Sequence, residues 1–206
     1  MYSKSVNNLI EAFNTEKVLY CHWKSTDHLS ASFEAKTDLD ILISSKSQIN
    51  AEMQLLRLGF VRMRTPDLRT YPCVEDYIKF DKDLNRFVHL HLHYMLQCGD
   101  RWVKSFRIPI EDYVLKNRVY LDEYSIWNID PVSEYLMFLT RMHMKWSDPA
   151  VKKSVKDENG YLVNQLSNVN DLNKELEGHP LFSASLKEIF DVYKEARFKD
   201  VSNVKR

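Results

Sequence analysis

The stretch "YCHWKSTDHLSASFEAKTDLDILIS", residues 20–44, decides how the front of the chain is read. It holds an apolar run, a Lys24–Ser25 step, a short helix-like segment, and two aspartates one residue apart at the head of a second apolar run. On a strand, side chains at i and i+2 point the same way. Asp38 and Asp40 therefore share one face, and Leu39 and Ile41 turn to the other. Two neighbouring carboxylates need bulk water or a cation, and Mg²⁺ is held by one or two carboxylates together with substrate phosphates. A solvated face satisfies the same constraint, so the pair alone does not choose. The Lys24–Ser25 step adds information because it stands where a strand hands over to a helix. Free N–H groups and the dipole make a helix N-terminus an anion site. Ser25 is placed as an N-cap with a hydroxyl to spare, and Lys24 contributes a charge.

Working outward, Val6, Leu9, Ile10 and Phe13 fall at i, i+3, i+4 and i+7, the stripe of an amphipathic helix. "KVLYCHW" and "DLDILIS" read as strands, with a helix over "TDHLSASF" between them and another over "SKSQINAEMQLLRLGF", stopped by Gly59. Beyond Gly59 the period changes. "FVRMR", "VEDYIKF" and "RFVHLHLHYML" read as successive strands, the last two joined by the turn "DKDLN" into an antiparallel hairpin. "IPIEDYVLKN" predicts a short helix and "RVYLDEYSIWNI" two short extended pieces. At "DPVSEYLMFLTRMHMKW" Asp130 is an N-cap, Pro131 suits the first helical position, and the apolar spacing carries the helix on. The remainder reads as helical, best over "GYLVNQLSNVNDLNKEL" and "PLFSASLKEIFDVYKEARF", with the basic run "VKKSVK" beside "DENG" as an exposed loop. The expected fold class is α+β: a mixed sheet flanked by helices over residues 1–129, followed by a helical region over 130–206 packed on it.

Composition bounds what such a chain does. Of 206 residues 44% are hydrophobic, with only 4 Gly and 6 Pro, which excludes disordered and fibrous classes. Lys+Arg and Asp+Glu number 29 each, so no global basic field exists to hold long nucleic acid by its phosphates. Three cysteines, Cys21, Cys73 and Cys98, form no C-x-x-C pair and no complete disulfide set, and are expected as reduced thiols. With no signal-peptide pattern and no run of about 18 apolar residues, a cytoplasmic protein without membrane spans is expected.

The order strand, turn with Ser25, helix, strand with D-x-D resembles the nucleotidyltransferase superfamily related to DNA polymerase β. "WKS" stands where that family has a Gly-Ser turn, and "TDLDILI" where it has its paired acids. More narrowly, "YCHWKSTDHL", "KTDLDILI", "VHLHLHY" and "IPIE" look like a group of bacterial nucleotidyltransferase-like proteins, some joined to a thymidylate-kinase-like domain. The resemblance covers roughly residues 15–145. It implies a nucleotidyltransferase-like sheet, two Mg²⁺ ions on Asp38 and Asp40, and a nucleoside triphosphate such as ATP gripped at Lys24 and Ser25. It also implies transfer of a nucleoside monophosphate to a small-molecule or protein acceptor. The alternative is a catalytically silent module that binds a ligand or partner.

Two departures from the family stand out. Lys24 replaces the usual glycine, so the backbone approaches phosphate less freely. The strand expected to carry the family's third carboxylate, "RFVHLHLHY", has no acid. His89, His91 and His93 alternate there with Val88, Leu90 and Leu92, so the three imidazoles share a face. His91 stands in the third acid's place, as a general base if its pKa is near 6.5. An acid from elsewhere, such as Asp76 on the neighbouring expected strand, is a candidate to replace the missing ligand. Three histidines on one strand also suit Zn²⁺, and a hydrogen-bonded sheet face accounts for them without any metal. Arg141 and Lys145, one helical turn apart, form a second basic pair, while Trp102, Trp127 and Trp146 read as core or interface. There is no G-x-x-x-x-G-K-[ST], so this chain carries no P-loop.

Overall fold

The apolar periods of the sequence become the elements they ask for. A computed structural model describes residues 1–64, 71, 73–99, 106–145, 149–183, 186–187, 190–191 and 194–195, with 149–154 as backbone only. Trp102, Trp146 and much of the segment from Pro180 to Phe198 lie outside the described residues. In chain order the elements are α1 (Lys4–Thr15), β1 (Tyr20–His22), a 3-10 turn (Thr26–His28), α2 (Leu29–Phe33), β2 (Leu39–Ile43) and a second 3-10 turn (Ser45–Ser47). There follow α3 (Gln48–Arg57), β3 (Val61–Met63), β4 (Val74–Asp81), β5 (Arg86–His93), β6 (Gln97–Cys98) and β7 (Phe106–Arg107). The chain continues through α4 (Glu111–Asn117), β8 (Val119–Leu121), β9 (Ile126–Asn128), α5 (Pro131–Met144), α6 (Pro149–Leu166) and α7 (Leu172–Gly178).

Two compact units result. The first comprises residues 1–96 and 111–129. It contains a mixed seven-stranded sheet in the order β3-β4-β5-β2-β1-β9-β8. β4 and β5 are the antiparallel hairpin the "DKDLN" turn predicts, while β5 runs parallel to β2 and β1 parallel to β9. Leu39, Ile41 and Ile43 of β2 and Val88, Leu90 and Leu92 of β5 bury one face against Val6, Leu9, Ile10 and Phe13 of α1 and Leu55 of α3. Burying each such side chain stabilises the fold by about 1.5–3 kcal/mol before chain entropy is counted. That fixes the strands' register and turns Asp40, His89, His91 and His93 to the opposite face. Gly59, at φ +78°, ends α3 in the left-handed conformation that glycine adopts without cost.

The second unit comprises residues 97–110 and 130–206. β6 pairs antiparallel with β7. α5 starts as expected: Asp130 accepts a hydrogen bond from the Ser133 N–H at 2.9 Å, with Pro131 at the first helical position. Its apolar side, with Tyr135, Leu136, Phe138 and Leu139, joins Val155, Leu162 and Leu166 of α6 and Leu176 of α7 in one core. The basic run 151–156 is helical, part of α6, and not the expected exposed loop. Val155, Leu162 and Leu166 recur at helical spacing and are all buried, a stripe that the surrounding charges hide in the sequence. Arg141, expected on a solvated or anion-binding face, instead pairs with Glu158 of α6 at 3.9 Å. Among the described residues no helix is long and apolar enough to cross a membrane.

Candidate functional site

β5 lies between β2 and β4, and the register sets Asp40 of β2, His91 of β5 and Asp76 of β4 in one row. Opposed residues in neighbouring strands share a face. The carboxylates and imidazoles therefore interleave. His91 Nδ1 lies 3.1 Å from Asp40 Oδ1, and its Nε2 lies 3.1 Å from Asp76 Oδ1 and 3.7 Å from Asp38 Oδ2. His89 bridges two acids, with Nδ1 2.7 Å from Asp38 Oδ1 and Nε2 3.2 Å from Asp76 Oδ1. His93 Nε2 lies 3.0 Å from Asp40 Oδ1, and Lys24 Nζ reaches the same oxygen at 2.8 Å while sitting over the Trp23 ring. Asp40 is thus a buried carboxylate ringed by three nitrogens, whereas Asp38 stands half open to water.

The charges follow from these contacts. The hydrogen bond to His89 holds Asp38 below the usual carboxylate range, and the His89 and His91 hydrogen bonds do the same for Asp76. Burial works to raise Asp40, but Lys24, His91 and His93 outweigh it and hold the group well below its ordinary value. The Asp38 and Asp76 carboxylates raise His89 to about 9. Burial pulls His91 down, yet its bonds to Asp40 and Asp76 lift it to about 9. The expectation of a base near 6.5 therefore does not hold for the metal-free protein: His91 carries a proton at neutral pH. His93 is the exception, lowered to about 4 by burial, and its Nδ1 has no hydrogen-bond partner.

The Lys24–Ser25 turn closes the other side. Ser25 takes a left-handed backbone, φ 57° and ψ 46°, and its side chain makes no capping hydrogen bond, contrary to the expected N-cap. The helix it was to cap is split into a 3-10 turn and a five-residue α2. Lys24, Ser25, Asp38 and Asp40, with His22 and His28, line one cleft of about 160 Å³. No protein-family model, no curated protein and no solved structure matches the chain. The site's reading rests on its own chemistry.

The structure brings together Lys24, Ser25, Asp38, Asp40 and His91. It adds Asp76, His89 and His93 to the same face. His22 had no signal in the sequence, because its partner Asn128 lies 106 residues away, with Oδ1 at 2.8 Å from His22 Nδ1. Asn128 donates its Nδ2 hydrogen to the Ile129 carbonyl at 3.0 Å, so its Oδ1 is the acceptor and His22 Nδ1 the donor. Burial lowers the pKa of His22, which stays neutral, with its proton on Nδ1 and its lone pair on Nε2. As for cations, Asp38 with His89 and His91, and Asp40 with His91 and His93, each group ligand atoms within 4.8 Å of one another. Carboxylate oxygens in such groups fit a divalent ion.

Proposed function

We propose that the chain is a metal-dependent nucleotidyltransferase, moving a nucleoside monophosphate from a nucleoside triphosphate to a small-molecule or protein acceptor. The observation that carries this reading is a cleft whose lining includes both the Lys24–Ser25 turn and the Asp38–Asp40 pair. Pockets enclosing a whole small ligand run to roughly 300–1,000 Å³. At about 160 Å³ the cleft suits phosphate groups and leaves the nucleoside outside. Lys24 brings an ammonium and Ser25 a hydroxyl that no cap contact consumes. Asp38 and Asp40 are the residues that would hold Mg²⁺ brought in with the triphosphate, whose charge would stabilise the oxygens that gain negative charge in phosphoryl transfer. His22 lines the same cleft, and His91 lies between Asp40 and Asp76 and holds both in place. The zero net charge favours a small acceptor over long nucleic acid.

Calorimetric titration of the four nucleoside triphosphates, with and without Mg²⁺, into wild type and Asp38→Asn tests this. The expected outcome is Mg²⁺-dependent binding of at least one of them, weakened tenfold or more in the variant. Absence of binding under every condition rejects the reading. One observation favours a silent ligand-binding module instead: Asp40 Oδ1 already meets Lys24, His91 and His93. That reading predicts binding indifferent to Mg²⁺ and no pyrophosphate release.

A further inference from the structure

We infer that Asp38, His89 and His91 form a binding site for one divalent transition-metal ion, of the Mn²⁺, Co²⁺ or Zn²⁺ kind rather than Mg²⁺. Two aligned contacts define the site. Asp38 presents Oδ1 to His89 Nδ1 at 2.7 Å and Oδ2 to His91 Nε2 at 3.7 Å, and one ligand atom from each of the three residues lies within 4.8 Å of the others. Two imidazoles and one carboxylate on one side of an ion, with open positions on the other, are a donor set of first-row transition metals. Mg²⁺ prefers oxygen alone and keeps much of its water.

The decisive feature is what the other ring nitrogens do. A metal-bound imidazole almost always donates its far N–H to a carboxylate, carbonyl or water, which fixes the tautomer and ring orientation. Here His89 Nε2 lies 3.2 Å from Asp76 Oδ1, and His91 Nδ1 lies 3.1 Å from Asp40 Oδ1. Metal binding would displace the protons on His89 Nδ1 and His91 Nε2; with the remaining protons held at the other two nitrogens, the lone pairs of His89 Nδ1 and His91 Nε2 face Asp38. Asp40 is in turn held by Lys24 at 2.8 Å and His93 at 3.0 Å, so the support continues one layer further in. Asp76 Oδ1 also lies 3.1 Å from His91 Nε2 and flanks the metal position.

The second grouping, Asp40 with His91 and His93, lacks these properties. The Lys24 ammonium already stands on Asp40 Oδ1, the oxygen that faces both histidines, and Asp40 and His93 are both buried. At the Asp38 group the carboxylate is half exposed, leaving room for water or substrate oxygen. This inference goes beyond nucleotidyl transfer and holds whether or not a triphosphate enters the cleft. It gives Asp40 a positioning part, through His91.

The test uses the full chain, stripped of metal and without nucleotide, so its result is separate from that of the triphosphate titration. Co²⁺ is added and followed by visible ligand-field absorption and calorimetry. Wild type is expected to bind one Co²⁺ per chain, to resist displacement by a large excess of Mg²⁺, and to release it to Zn²⁺. His89→Asn and His91→Asn are expected to lose the band, and Asp76→Asn to keep it with affinity reduced at least tenfold. No saturable Co²⁺ band in wild type, displacement by Mg²⁺, or a band unchanged in both histidine variants would each overturn the assignment. The first two readings need no variant, so a variant that fails to fold does not rescue it.

Discussion

Ser25 adopts φ 57° and ψ 46° although it has a Cβ, a conformation costing about 1–2 kcal/mol that glycine reaches freely. Ser25→Gly is therefore expected to raise unfolding free energy by about 1 kcal/mol in denaturant titration while weakening triphosphate binding, because the hydroxyl is lost. A gain in both would show that the hydroxyl faces no ligand. The histidine row makes a second prediction, for the metal-free protein. His89 and His91 are raised to about 9, against an ordinary value near 6.5. Between those limits the folded chain holds more protons than the unfolded one, so their contribution is complete below about pH 6.5 and is lost as pH rises through about 9. His93, lowered to about 4, works in the opposite direction and costs stability as pH falls from about 6.5 through 4. Melting temperature against pH should show both limbs, and His89→Asn should reduce the alkaline one, leaving the part that His91 contributes. Of these residues, Asp38, Asp40 and the alternating histidines were legible because strand period alone puts them on one face. His22 was not, since nothing near it in sequence foretells Asn128.

Elements are held to one another by a few buried polar ties. Ser3 caps α1 by accepting the Val6 N–H at 3.2 Å, and its hydroxyl donates to Asp81 Oδ2 at 2.5 Å. The other Asp81 oxygen accepts the Asp83 and Leu84 N–H groups of the β4–β5 turn, at 3.1 and 3.2 Å. One buried carboxylate thus fastens the first helix to the hairpin that carries His89 and His91. Asp81→Ala leaves these donors unpaired and is expected to cost about 3 kcal/mol in denaturant titration, a hydrogen bond to a charged group contributing about 1.5–3 kcal/mol. A loss below about 1 kcal/mol would mean that water replaces it. At this scale the sequence was most readable where period and caps agreed, as in α1, α5 and the β4–β5 hairpin. It misled where charge outweighed period: Lys152, Lys153 and Lys156 obscure the stripe that makes α6 a helix. The Ser25 cap failed for a different reason. The chain there bends left-handed, and no local pattern marks that in a serine.

For the molecule as a whole, the mixed α+β architecture follows from two changes of period, while the strand order does not, because parallel pairing depends on residues far apart. β2 meets β5 across about 50 positions, Asp40 to His91 being separated by 51, and His22 reaches Asn128 across 106. Loop-closure entropy makes such pairings late and slow relative to a hairpin. A consequence appears when the order of synthesis is considered. As the chain leaves the ribosome, every residue of the acid and histidine row is present once His93 has emerged, and β3, β4 and β5 can assemble with β2 at once. β1 still waits for a neighbour that arrives only with β9, so the half-made sheet has an open border along the strand that leads into the Lys24–Ser25 turn. The residues of the row and of the cleft are all present early, whereas the sheet that carries them is completed only with β9. During that interval the row stands on a sheet with one unpaired border, and an unpaired strand border is a template for pairing with another chain.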